Sequence, residues 1–220
     1  MKKIFVLLFV CLSALSADNV EVLKSYIAKE YKATYPEIII ESISLITRNT
    51  LDLHAIDIIA KSITSPKNAN GYMNLSYKIN NKTMQENIKY SIKAKIKVFY
   101  ATDNIAPKSN FRPVNFNEKI QDFNIFTNPP ASRAELLQSS AKVYIPINSM
   151  ITQNKITRKI LVPKDSNVKV VFKSGGIEAI FSAKALENGM KGDIIKIENN
   201  ESKRVINAEV IDENTVRIKD

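Results

Sequence analysis

AIFSAKALENGMKGDIIKIENNESKRVINAEV, residues Ala179 to Val210, is the stretch from which the fold is read. The chain holds only 5 glycines, and four of them fall between Gly175 and Gly192. A sequence so sparing with glycine keeps it for places that need a positive φ or leave no room for a Cβ. Asn188-Gly189 is a turn dipeptide, and Gly192-Asp193 opens the next apolar alternation. Together they are expected to fold Ala185-Leu186 back onto a strand that starts at Ile194. Asn199 to Ser202 makes a second turn, and Val205 to Val210 returns, giving a β-meander. Gly189, Gly192, Asp193, Asn199 and Ser202 are therefore read as turn residues.

Upstream, short apolar runs alternate with turn signals. Ser132-Arg133-Ala134-Glu135 is a capping box for a short helix, Arg133 to Ser140. Val143 to Ile145, Ile156 to Val162 and Val168 to Lys173 read as strands, spaced as in a compact all-β module. Phe111, Phe116, Phe123 and Phe126 come in quick succession. They fit the core of a small domain; exposed, Phe111 and Phe116 would be anchors for a client. Tyr100, Ala101, Thr102, Asp103 and Asn104 break the preceding alternation, and the composition shifts to Asn, Pro and Phe. A domain boundary is placed there, with these five residues as a hinge.

The first half reads as a helix followed by antiparallel strands. Asp18-Asn19 caps a helix with Val20, Leu23, Ile27 and Tyr31 at helical spacing, ending before Pro36. Glu37 to Leu45 and Leu51 to Ile59 are expected strands. Met73, Leu75, Tyr77 and Ile79 alternate, Asn80-Asn81 turns, and Ile88 to Tyr100 alternates strictly as a half-buried strand. Its other face carries Lys89, Lys93, Lys95 and Lys97. This comb is a solvated face that discourages edge pairing; as a contact surface, Lys93 and Lys95 would meet an acidic client or anionic peptidoglycan.

Met1 to Ala17, with Lys2 and Lys3 before an apolar run, reads as a secretory signal peptide, and no later stretch is long enough for a membrane anchor. Cys11 leaves with it, so thiol chemistry, disulfides and thiolate metal sites are excluded from the mature chain. The formal charge of +10 becomes +8 without Lys2 and Lys3. Lysine far outnumbers arginine, which speaks against nucleic acid as a partner. His54 is the only histidine; it falls in an expected strand and has no second ligand for a metal, and no G-x-S-x-G elbow is present. The carboxylates Glu187, Asp193 and Glu198 show no spacing specific to glycosidases. No catalytic residue, metal or cofactor is expected.

Ala185 to Val205 closely resembles the pattern A-L-x-x-G-x-x-G-D-x-I-x-V-x-N-x-x-S-x-x-V of the C-terminal domain of the FlgA family, the flagellar P-ring assembly chaperones. The similarity extends over about residues 95 to 220, through IAPKSNF, the short helix, IPINSMIT and VPKDSNVKVVF. Pro107-Lys108-Ser109, Ile147-Asn148-Ser149 and Pro163-Lys164-Asp165 stand where the family usually has a glycine turn. The resemblance implies a β-clip (SAF-like) module. The expected architecture is mainly β (α+β): signal peptide 1–17, an N-terminal helix-plus-antiparallel-sheet domain 18–101, and a SAF-like domain 102–220 ending in the β-meander. It further implies a periplasmic chaperone, without enzymatic activity, that binds the exported P-ring subunit (FlgI in the family's naming) in a cleft between domains and assists ring assembly around the rod. Sialic acid synthases also end in a SAF module, but their catalytic barrel needs about 250 residues that are absent before residue 100. A periplasmic SAF protein of pilus assembly or peptidoglycan binding is the alternative.

Overall fold

The computed structural model describes residues 18–47, 51–64, 66–174 and 177–218; the expected signal peptide and the Gly175-Gly176 pair lie outside them. Strands dominate, and the fold class is the expected mainly β one. The chain forms two compact units, one of residues 18–31 and Ile40–Lys93 and one of Lys32–Ile39 and 94–218.

The first unit is organised by α1 (Asn19–Thr34), whose Leu23, Ile27 and Tyr31 recur at helical spacing and are fully buried. The helix is followed by β1 (Ile38–Ile46), β2 (Asp57–Ile63), β3 (Asn70–Ile79) and β4 (Lys82–Ala101) in the antiparallel-linked order β1-β4-β3-β2. Alternation turns Met73, Leu75, Tyr77, Ile88 and Tyr90 inward. The Tyr31 hydroxyl donates to the Asn68 carbonyl at 2.5 Å, and the Tyr31 and Tyr90 rings meet edge to face at 6.1 Å. Burial raises the Tyr90 pKa, with the Tyr31 hydrogen bond opposing it.

Leu51 to Ile59 does not form the single strand expected. Leu53–Ala55 is a 3₁₀ turn, with the Asp52 carboxylate accepting from the His54 amide at 2.9 Å, and the strand starts only at Asp57. Leu53 and Ile56 are both buried, a spacing that a turn provides and an extended strand would split between two faces.

β4 is shared, with residues 82–93 in the first unit and 94–101 in the second. The compositional shift at residue 102 marks the end of this strand; the division by packing falls earlier, because the strand gives its two halves to different cores. In the second unit β5 (Phe116–Asp122) pairs with the later half of β4. α2 (Arg133–Leu137) carries the expected capping box, with Ser132 Oγ accepting from the Glu135 amide at 3.2 Å and Glu135 Oε2 from the Ser132 amide at 2.7 Å. It stops at Leu137 because β6 (Ser139–Ala141) takes over, pairing with β7 (Ile156–Arg158).

Residues 99–115 and 139–155 repeat one hydrogen-bonding scheme about a local two-fold. The amides of Ile105 and Ile145 each donate to the other's carbonyl. Ala101 donates to Ser149 as Ala141 donates to Ser109, and Asn148 donates to Ala101 as Lys108 donates to Ala141. The core between these halves holds Phe99, Ile105, Phe111, Phe116, Leu136, Ile145 and Ile151.

The remainder closes into a barrel. β8 (Ile160–Val162) leads to β9 (Asn167–Ser174) and β10 (Ile177–Ala185); the short β11 (Gly189–Met190) pairs with β8, and β12 (Ile194–Asn199), β13 (Val205–Asp212) and β14 (Thr215–Ile218) follow. The expected meander is β10-β12-β13, and β14, which sequence reading did not include, pairs with β13 and in parallel with β9 to complete the ring β10-β12-β13-β14-β9. Val168, Val170, Ala183, Ile195, Ile197, Ala208, Val210 and Val216 fill it.

Candidate functional site

The turns that carry the motif solve one backbone problem four times. Lys108, Asn148, Asp165 and Gly192 have φ of 68°, 62°, 67° and 85°. Each is the third residue of a β-turn closed by the next residue's amide: Ser109 to Ala106, Ser149 to Pro146, Ser166 to Pro163, and Asp193 to Met190. Only Gly192 escapes the cost of a Cβ in the left-handed region; Asn148 and Asp165 tolerate it, and Lys108 does so least. The same turn geometry is therefore kept at three positions that carry no glycine.

Gly189 serves a different purpose. A Cβ there would lie 2.5 Å from Val210 Cγ2, so glycine lets β11 approach the barrel core. Asp193 Oδ2 accepts from the Met190 amide at 3.0 Å, and its Oδ1 binds Arg158 at 2.9 Å. Asn199 Oδ1 accepts from the amides of Glu201 and Ser202 at 2.8 and 2.9 Å. These five motif residues set turns and strand approach. At the neighbouring turn, Lys184 pairs with Asp165 at 2.9 Å; the hydrogen bond and then the charge hold the Asp165 carboxyl below its ordinary range and raise the lysine.

Of the expected client contacts, Phe111 and Phe116 are 3% and 5% exposed and belong to the core, so they offer no surface to a client. Phe116 packs edge to face on Phe99 at 5.5 Å, while Phe123 and Phe126 cluster with Tyr35. The apolar alternation around them reads the same whether an aromatic faces in or out, which is why sequence left both roles open. Lys93 pairs with Glu41 at 3.1 Å and Lys97 with Glu118 at 3.2 Å, and Lys95 is also engaged. Two of the comb's four lysines, Lys93 and Lys97, are thus answered by carboxylates of neighbouring strands.

Tyr100, Ala101, Thr102, Asp103 and Asn104 all lie within the second unit. The Ala101 amide donates to Ser149, Thr102 donates through its amide to Asn115 and through Oγ1 to the Val114 carbonyl, and Asn104 Oδ1 accepts from the Ile147 amide. A segment tied at this many points is part of the packed unit, and a proline at residue 101 would break one of its bonds. The chain passes between the units elsewhere, at Tyr31–Lys32, Ile39–Ile40 and Lys93–Ala94.

His54 is exposed on the 3₁₀ turn, its Nδ1 3.0 Å from Asp18 Oδ1. Among the described residues no group of three His, Cys, Asp or Glu side chains is gathered as for a metal, and no helix is long and apolar enough to cross a membrane. Val143 to Ile145, expected as a strand, is instead a loop joined to Ile105 by an isolated bridge at Ile145, and Val143, Tyr144 and Ile147 along it are 45%, 53% and 49% exposed. Ile145 between them is buried, so the loop is held from inside while presenting apolar groups outside.

Residues 96–218 match the sequence family described as "Chaperone for flagella basal body P-ring formation". A curated relative from Aquifex aeolicus (strain VF5), "Flagella basal body P-ring formation protein FlgA", is 31% identical over 70 residues, which is 32% of this chain and 31% of the relative. The alignment thus spans under a third of that relative's length. Among solved structures, Salmonella FlgA in open form superposes with a TM-score of 0.62 over 91% of this chain and 92% of the other, at 12% identity. The flagellar protein FlgA from Thermotoga maritima MSB8 gives 0.50 over 91% and 72%, at 13% identity.

Proposed function

Because the chain belongs to the family of chaperones for flagella basal body P-ring formation, we propose that it acts in the periplasm, where it binds the exported P-ring subunit (FlgI) and assists ring assembly around the rod. The single observation that carries this reading is the family match over residues 96–218, which takes in both the two-fold β module and the barrel. Holding a subunit until it joins a ring needs surface complementarity and no bond making, and a chaperone of this kind recognises apolar surface that the assembled ring will later cover.

The client surface on this reading is the Val143, Tyr144, Ile147 loop, which takes the place of the buried phenylalanines. Its backbone is anchored by the Ile105–Ile145 pair and by Asn104 to Ile147, so little ordering entropy is lost on binding. The test is direct. The purified mature protein is mixed with purified P-ring subunit, and complex formation is followed by light scattering after size exclusion. A defined complex that keeps the subunit from aggregating is expected; a subunit that aggregates at the same rate with and without the protein refutes the assignment.

A further inference from the structure

The outer face of β2-β3-β4 forms a concavity of about 650 Å³ that the chaperone reading does not use. Register places Ala60, Ser76 and Gln85 side by side in one row across the three strands, and Ser62, Asn74 and Asn87 in the next. All six line the concavity, together with Lys61, Leu75 and Glu86 of the row between, whose side chains alternate toward the other face of the sheet, where Lys61 lies over the Tyr26 ring. Among the described residues, none of the side chains of Ser62, Asn74, Ser76, Gln85 and Asn87 hydrogen-bonds to another residue. Three amides and two hydroxyls, each both donor and acceptor, therefore converge on one hollow with their hydrogen-bonding capacity free.

The chemistry of this face selects its ligand. The two rows contain no charged side chain, so a bare anion or cation finds no partner in them. A polypeptide strand has no purchase, because the backbone of β3 is already paired on both sides, to β2 and to β4. Neutral groups that alternate donor and acceptor do fit, and sugar hydroxyls and acetamido groups are of that kind. Three strands at about 4.8 Å spacing make the hollow roughly 10 Å across, near the length of two sugar rings. One step further along the same face of β3 stands Tyr72, 55% exposed, with Lys89 opposite it on β4. The ring offers an apolar platform with a polar edge, and the ammonium favours a carboxylate on the ligand.

We propose that this face is a binding site for a glycan chain bearing acetamido and carboxylate groups, as in the bacterial wall polymer. The site takes in one member of the lysine comb, Lys89, uses none of the residues of the apolar loop, and does not depend on the chaperone assignment.

The experiment is an NMR titration of the isotopically labelled mature protein. The probes are a tetrasaccharide of alternating N-acetylglucosamine and N-acetylmuramic acid, and the neutral N-acetylglucosamine tetramer. Saturable shifts confined to β2, β3 and β4 around Ser62, Asn74 and Asn87 are expected, with weaker binding of the neutral tetramer. Asn74→Ala combined with Asn87→Ala should weaken binding about tenfold or more, and Lys89→Gln should remove the preference for the carboxylate-bearing probe. Both side chains are exposed, so unchanged circular dichroism is the control for folding. Absence of saturable shifts in the wild-type protein up to about 10 mM ligand, a threshold set at weak-binding free energies, overturns the proposal. So does equal affinity in the double variant, or a shift pattern centred elsewhere.

Discussion

Gly189→Ala tests how the motif region is packed. An ideal Cβ at residue 189 lies 2.5 Å from Val210 Cγ2 and 3.1 Å from Ile195 Cγ2. Carbon atoms rest at about 3.5–4.0 Å, so something must move by about 1 Å. Val210 and Ile195 are 1% and 2% exposed inside a closed barrel, where neither has space to retreat. Overpacking of this kind costs about 1–3 kcal/mol. Residue 189 lies outside the left-handed region, so the methyl adds no backbone strain and instead recovers about 0.4–1 kcal/mol by restricting the unfolded chain. The net loss is about 1–2 kcal/mol, or roughly 2–8 °C in Tm for a chain of this size. The assay is thermal and urea unfolding followed by far-UV circular dichroism, run as a cycle with Val210→Ala. Removing Cγ2 removes the clash, so Gly189→Ala should be near neutral in that background, with a coupling of about 1–2 kcal/mol. An equal cost in both backgrounds would refute the packing argument.

Three further outcomes follow from the geometry. Lys108→Gly should raise stability by about 0.5–1 kcal/mol, since leaving the left-handed region strained costs about 1–2 kcal/mol and glycine's extra unfolded entropy returns only part; a lowered urea midpoint contradicts this. The Asp165–Lys184 pair links stability to pH at both extremes. The carboxyl's folded pKa is depressed, so its contribution is present above the unfolded value near 4 and lost as pH falls through the folded one; the lysine's is raised, so its contribution is lost only on rising through a value above about 10.5. Lys184→Met should therefore flatten the acid limb below about pH 4, and parallel acid limbs would remove the linkage. Tyr144→Asp with Ile147→Asp, at exposed positions, should abolish complex formation with the P-ring subunit and leave circular dichroism unchanged; undiminished binding moves the client surface elsewhere.

Much of this architecture is legible wherever a residue has one physical solution. β4 reads directly from its alternation, because the lysine face and the apolar face cannot exchange without burying charge. Gly192-Asp193 announces a turn and the Ser132–Glu135 box announces a helix start, whereas Asn188-Gly189, read as a turn, leads straight into β11. The rest depends on partners distant in sequence. Parallel pairing of Thr215–Ile218 with residues 169–172 closes the barrel, and no local pattern encodes it. The left-handed Lys108 is hidden because lysine has no preference for that conformation; its place shows only when the two-fold hydrogen-bond scheme aligns it with Asn148. Leu51 to Ile59 misleads because its apolar content fits a strand, whereas burying Leu53 and Ile56 together, three residues apart, takes the 3₁₀ turn. The candidate surfaces were the least legible part. Phe111 and Phe116 carry the same signal inside or outside, and the polar hollow on β2-β3-β4 gathers residues from three strands that look unremarkable one at a time.

Deletion of the gene, with hook–basal bodies counted by electron microscopy and complemented from a plasmid, tests the central claim most directly. The expected result is rods that lack P-rings, restored by the plasmid-borne gene and partly by overproduced P-ring subunit alone, as for a chaperone whose loss higher subunit concentration offsets. P-rings present at wild-type frequency in the deletion strain would contradict the account.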